Sequence, residues 1–354
     1  MSPLHAPTVL AAFVLLAPLA AADEVTLAPT SDTTLYSESE GLANGAGQHL
    51  FAGATGALDL RRAPVRFDVA AALPAGATIT GVELELTMSK STAGATFVAV
   101  HRLTQDWGAA GSDADGNEGQ GTIALTGDAT WGYRFFTTDA WTTPGGDFVA
   151  TASASTLVGG IGRYTWASTP ALVADVQAWL DGTAPDHGWI VLGDESGDQS
   201  AKRFDSVDNP TPANRPSLVI TFDPPCPPAL ALQTVRTGVP ANPAALLPSS
   251  INGPALGSTW APRIDHTTFV PGAVLDVLVL TAVGTNVPSP VGTLLCDLSG
   301  ANYLYYATPG QPFDLPVPDD CAFVGLTGCV QGGSVDITGA LFATNALDFT
   351  VGTF

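Results

Sequence analysis

Cysteine is missing from the first 225 residues and lysine is nearly missing throughout: the four cysteines are Cys226, Cys296, Cys321 and Cys329, and the lysines are Lys90 and Lys202. With a formal net charge of −21 the chain repels phosphate backbones and anionic lipid, which excludes nucleic acid and charged membrane surfaces as partners. After Val9–Leu19 there is no second long apolar run, and that one is shorter than the ~20 residues of a membrane span, so membrane insertion is not expected. The cysteines have no CxxC spacing and no histidine close by in sequence, which favours disulfides over zinc. No GxSxG turn is present to carry a serine nucleophile.

The apolar stretch before Ala20, Ala21 and Ala22 reads as a secretory signal over residues 1–22, cut before Asp23. Glycine (38), proline (28) and a charged fraction of only 13% favour many short strands joined by tight turns. The prolines of DPPCPP, which fix φ and keep their predecessors extended, mark a boundary. The expected order is therefore a β-sandwich over 23–222, a proline-rich linker over 223–239 and a smaller C-terminal β-sandwich over 240–354. Export permits disulfides, and the short segment between Cys321 and Cys329 suggests a hairpin that pairs them, leaving Cys226 with Cys296.

Period-two alternation sets the expected inward faces: Val65, Phe67 and Val69; Val82, Leu84, Leu86 and Met88; Phe97, Ala99, His101 and Leu103; Leu218, Ile220 and Phe222. One segment has helical spacing instead: Leu172, Val173, Val176, Trp179 and Leu180, with Gly182 placed to stop the helix and Trp179 to plug the core. GWIVLG reads as a wall strand beyond it.

Candidate sites are few. Acidic pairs such as Asp194 and Glu195, or Asp205 and Asp208, fall in loops expected to be solvated and give no weight to glycoside hydrolysis. Asp113, Asp115 and Asn117 have the alternate spacing of calcium loops, but Glu118 stands where an EF-hand needs glycine, so a calcium site and a plain acidic surface loop both fit. TWGYRFFTTDAW gathers Trp131, Tyr133, Arg134 and Trp141; flat aromatic faces stack on sugar rings and equally pack corners. Lys202, Arg203 and Arg215 lie with Asp205 and Asp208 in a turn before the last strand of the first domain, placed to brace the sandwich edge or, for Arg203 and Lys202, to meet a sugar.

SDTTLY, NGAGQHLFAG, RRAPVRFDVAAALPAGATITGVELELT, DATW, PGGDF, ALVADVQAWLDG, HGWIVLGDE and SAKRFDSVDNPTPANRPSLVITF run in that order over about residues 25–222. On these the first domain resembles the DNRLRE domain, also described as a family 96 carbohydrate-binding module and similar to disaggregatase-related repeats. The resemblance implies a jelly-roll-type β-sandwich with one short helix, a non-catalytic module of secreted or surface proteins. GSTWAPRIDH, PVPDDCAFVGLTGCVQGGSV and ATNALDFTVG resemble C-terminal β-domains of secreted bacterial proteins, a resemblance that carries a fold class only. The expectation is a mostly β, secreted, non-enzymatic protein that binds polysaccharide or extracellular matrix, with no cofactor beyond calcium. A structural or adhesive surface protein without sugar specificity is the alternative, and a polysaccharide-degrading enzyme ranks behind both.

Overall fold

Alternation in the first half of the chain produces one strongly curled antiparallel sheet. The computed structural model describes residues 22–354, so the expected secretory signal, apart from Ala22, lies outside the described residues. Sheet order runs Asp23–Leu27, Ser217–Asp223, Thr78–Ser91, Lys202–Asp205, His49–Ala54, Leu60–Arg66, Trp189–Leu192, Thr96–Arg102 and Ala154–Val158. Gly162–Trp166 and Ser217–Asp223 both register against Leu84 and Glu85, so they occupy opposite edges of the long strand. Ala154–Val158 and Gly162–Trp166 are consecutive, and Thr156 Oγ1 donates to Thr165 O (2.9 Å), which brings the two ends of the curl together into a two-layered sandwich.

The sheet turns over at His49–Ala54. His49–Ala52 pair with Lys202–Asp205, while Gly53 and Ala54 pair with Leu60–Arg66. Gly53 has φ +115°, and a Cβ there would sit 2.9 Å from Ala201 Cα, so only glycine allows the crossing.

The inward faces expected over Val65–Val69, Val82–Met88 and Leu218–Phe222 are buried. In Thr96–Arg102 the parity is reversed: Val98 and Val100 are buried and Phe97 is 66% exposed. Both alternating sets of that strand are apolar, so pairing with Trp189–Leu192 and Ala154–Val158 decides what composition leaves open. The helix Pro170–Leu180 is capped by Thr169 Oγ1 accepting from Leu172 N, and Gly182 ends it at φ +66°. Its Leu172, Val176 and Trp179 enter the core, where the Trp179 and Trp189 rings lie 4.5 Å apart. Trp179→Ala would cost about 3–5 kcal/mol through the cavity left behind. A further one-turn helix, Val69–Ala72, accompanies it.

The chain parts between Pro225 and Cys226 into two compact units. The expected linker over 223–239 is therefore shorter than composition suggested, because Leu232–Arg236 is an edge strand of the second unit paired with Leu341–Thr350. That unit is the smaller β-sandwich, built on a five-stranded sheet ordered Leu232–Arg236, Leu341–Thr350, Thr327–Asp336, Ala273–Thr281 and Asn302–Ala307. One face packs on Leu246, Trp260, Ile264, Phe313 and Leu315; Cys329 and Val279 on the other meet Leu295 and Cys296 of the hairpin Gly284–Cys296.

The disulfides are Cys226–Cys321 and Cys296–Cys329, with Cα separations of 5.1 and 5.6 Å, which corrects both expected pairings. Cys321 opens the 3-10 turn Cys321–Phe323 rather than a hairpin strand, and Cys329 lies within the strand Thr327–Asp336, where Cys296 reaches it. Closing loops of 95 and 33 residues contributes about 4–5 and 3–4 kcal/mol in the chain-entropy model. Reduction should therefore lower the calorimetric Tm of the second unit and leave the transition of the cysteine-free first unit unmoved; equal shifts in both would contradict this division.

Both ring nitrogens of His266 face acceptors: Nδ1 lies 2.8 Å from Phe269 O and Nε2 3.0 Å from the Asp276 carboxylate. Asp276 is fully buried and also accepts from Ser334 Oγ and Gly310 N. The ring is thus held as an imidazolium with two N–H donors. Desolvation opposes that charge, but the hydrogen bonds to Asp276 and Phe269 and the Asp276 charge outweigh it and raise the pKa. Stability from a raised folded-state value is complete below the unfolded pKa of about 6.5 and is lost as pH rises through the folded one. The Tm of the second unit should fall over that interval, and His266→Gln should flatten the fall. A wild-type profile no steeper than the variant's would refute the assignment.

Candidate functional site

Arg61 is a charged residue on a sheet position that would ordinarily be apolar, and it is only 2% exposed. Its guanidinium lies 4.7 Å from the Tyr36 ring centroid and meets Glu38 through two bonds of 2.6 Å. Its Nε and Nη2 donate to Gly119 O at 3.2 and 3.1 Å. The cation is thereby satisfied inside the protein by a fork-to-fork pair and a loop carbonyl.

The loop that supplies this carbonyl is pinned one residue earlier. Glu118 is buried at φ +61°, a backbone region that side-chain-bearing residues rarely occupy. Its carboxylate accepts from His49 N (2.8 Å), Asn44 Nδ2 (2.9 Å) and Gln48 N (3.1 Å). His49 Nδ1 lies 3.2 Å from Oε1 as an ion-pair contact outside hydrogen-bond geometry, and His49 Nε2 faces buried Asp205 at 3.6 Å. Burial alone would raise the Glu118 pKa, but the interactions with His49, Asn44 and Gln48 together hold it below the usual value. Tyr36 OH donates to Glu118 O (2.9 Å), and burial pushes this phenol well above its ordinary range. Gly121, at φ +66°, lets the chain pass the Tyr36 ring, which a Cβ would approach to 2.9 Å.

Together these contacts build one wall of an open groove of about 920 Å³. Its lining combines the Glu38 and Asp59 carboxylates, the Gln120 amide, the Thr55 and Thr122 hydroxyls, and the apolar Leu42 and Ile123, the last 79% exposed. Such a surface offers hydrogen bonds in several directions beside an apolar step. Its one cation is spent on Glu38, and neither cysteine, serine, lysine nor histidine lines it.

The residues singled out from sequence lie elsewhere. Trp131 is half-buried, with Arg62 stacked on it at 4.9 Å; Arg62 is in turn held by Glu195 (2.7 and 2.9 Å) and Gly145 O, so Glu195 is not a free loop carboxylate. Tyr133 packs edge-on against Phe136 at 5.6 Å. Arg134 lies over Phe135 and pairs with Asp139 at 3.1 Å. Trp141 is 5% exposed and donates its indole N–H to Thr130 O, so it packs a corner and offers no face to a ligand. This hairpin borders the segment that leads into the short strand Leu42–Ala43, whose Leu42 lines the groove: a Cβ on Gly41 would lie 3.9 Å from the Phe136 ring, and one on Gly132 3.0 Å from the Glu40 side chain.

Asp113, Asp115 and Asn117 are exposed, and Asn117 Oδ1 accepts from Lys90 Nζ (3.2 Å) and Arg203 Nη1 (3.4 Å). Two cations thus converge on an oxygen that a calcium ion would need, and among the described residues no group of three or more His, Cys, Asp or Glu is arranged to hold a metal. Arg203 also donates to Ser89 Oγ. Lys202 is buried, with Nζ on Gly94 O at 2.9 Å and its pKa pushed down by desolvation, so it does not face a sugar. The turn after it is a brace held mainly through the backbone: Ser206 Oγ donates to Gly47 O, Val207 N to Asp32, and Arg215 Nε to Asn209 O.

No protein-family model matches the chain, and no curated protein matches it. Among solved structures it is similar to a calcium-binding mutant of Bacteroides uniformis β-glucuronidase 2, at 10% identity and a TM-score of 0.21. That match covers 91% of this chain but only 32% of the glucuronidase, and at such a score it carries no argument about fold or function.

Asp32, buried beside the brace, has its pKa raised to about 8, chiefly by desolvation; the Val207 N–H lowers it and Asp208 raises it further. A raised carboxyl stabilises the fold only while protonated, so its contribution wanes as pH rises from the unfolded value of about 4 through 8. Asp32→Asn keeps an acceptor for Val207 and carries no charge. The first unit of this variant should therefore melt higher than wild type at about pH 9 and alike at about pH 3; a variant destabilised equally at both would overturn the reading.

Proposed function

We propose that the chain is an extracellular, non-catalytic protein whose first unit binds a neutral polysaccharide in the groove between Glu38, Asp59 and Gln120. The observation that carries this reading is the groove's lining: hydroxyl, amide and carboxylate groups beside exposed Ile123, with the only cation neutralised by Glu38. Neutral sugars present hydroxyl donors to carboxylates and C–H faces to apolar side chains, whereas uronates would meet the uncompensated Asp59 carboxylate, no unpaired cation of the lining and a chain of net charge −21. The resemblance of this unit to the DNRLRE and family 96 carbohydrate-binding modules supports the same class. Two disulfides suit an oxidising compartment, and among the described residues no helix is long and apolar enough to cross a membrane.

The test is affinity electrophoresis of the full chain in gels containing β-glucan, xylan, mannan, alginate or polygalacturonate. At least one neutral polymer should retard the protein and the two uronates should not. Asp59→Ala and Gln120→Ala should each weaken binding about tenfold, the loss of roughly one charged or shared hydrogen bond, with unchanged Tm, while Trp131→Ala leaves it intact. Retardation by no polymer would favour the structural or adhesive reading, and release of reducing ends would favour an enzyme.

A further inference from the structure

The second unit contains a concavity that the polysaccharide reading does not use. It has a volume of about 180 Å³ and opens beside the edge strand Asn302–Ala307. Its walls are almost wholly apolar: Trp260, Tyr303, Tyr305, Phe323 and Phe349 bring aromatic faces and edges from four elements, the two tyrosines from the edge strand, and Leu280 also lines it. Trp260 is held in place from behind, its Nε1 donating to Gln233 Oε1 at 2.9 Å, so the indole's polar edge is already satisfied. Trp260 and Phe349 are tilted at 54° with centroids 5.0 Å apart. The wall carrying Phe323 begins at Cys321, which the disulfide to Cys226 fixes.

Apolar cavities of about 150 Å³ stay dry and accept a single benzene ring. A slightly larger space with rings at several inclinations gives an aromatic guest both stacked and edge-on contacts. We infer that this pocket is a binding site for a small monocyclic aromatic molecule, or the monocyclic aromatic end group of a larger one. The pocket is too small for a sugar chain and its mostly carbon walls offer few partners to sugar hydroxyls, so this site is independent of the groove in the first unit.

The probe is toluene added to the full chain, read by scanning calorimetry and Trp fluorescence. The transition of the second unit should rise by about 5 °C at roughly ten times the dissociation constant, while the first unit's stays fixed. Ala301 and Ala282 are exposed residues of the lining, so Ala301→Phe and, independently, Ala282→Phe fill the mouth without entering the core. Whichever variant keeps the ligand-free Tm should lose the toluene shift. The inference fails if toluene does not raise the wild-type transition, or if the shift survives in a folded, mouth-filled variant. It also fails if the pocket proves to be an interface, shown by concentration-dependent self-association that the same substitutions abolish while toluene has no effect.

Discussion

The first unit depends on a buried carboxylate in an unfavourable backbone conformation. Glu118 gives up solvent and a relaxed φ, and in return accepts from the backbone N–H groups of Gln48 and His49 and from the Asn44 amide, whose Nδ2 also donates to His49 O. Hydrogen bonds to a charged acceptor contribute about 1.5–3 kcal/mol each, enough in sum to hold the strained turn. That turn places Gly119 O under Arg61 and Gly121 against Tyr36. The groove wall is thus made by one acid acting through the backbone, with Glu118 itself sealed from any ligand.

The same economy explains the acidic composition. Asp194, Asp265, Asp297 and Asp336 each accept from a Ser or Thr two positions later, which closes a tight turn and lowers the acid's pKa. Carboxylates in this chain are turn punctuation at the surface and clamps inside it. In the second unit buried amides take the clamping role: Asn242, Gln331 and Asn345 bind main-chain groups of neighbouring strands, while Cys296–Cys329 ties the hairpin Gly284–Cys296 to the sheet and Cys226–Cys321 ties the entering chain to the 3-10 turn.

Where alternation separated apolar from polar residues, as in Val82–Met88, or where Thr169 and Gly182 bracketed a helical stripe, sequence sufficed to place the core. Phe97 defeated it because its neighbours on both faces are apolar, so only the partner strands choose the parity. Closeness in sequence points to the wrong disulfides because Cys321 enters a 3-10 turn and meets Cys226 instead of Cys329. The groove was the least legible feature. Glu118 and Asn44 stand 74 residues apart, and Arg61 and Gly119 58, so no local spacing announces them. The aromatic cluster, conspicuous in the sequence, is spent largely on packing, as Trp141 shows.

The central claim is that the Glu118 carboxylate holds the segment from Ala114 to Ile123 in place and thereby shapes the groove. Amide hydrogen exchange of Glu118→Ala against wild type tests it most directly. The account predicts faster exchange confined to that segment and to Gln48 and His49, with the strands Thr78–Ser91 and Ser217–Asp223 protected as before. Unchanged protection of the loop would contradict it.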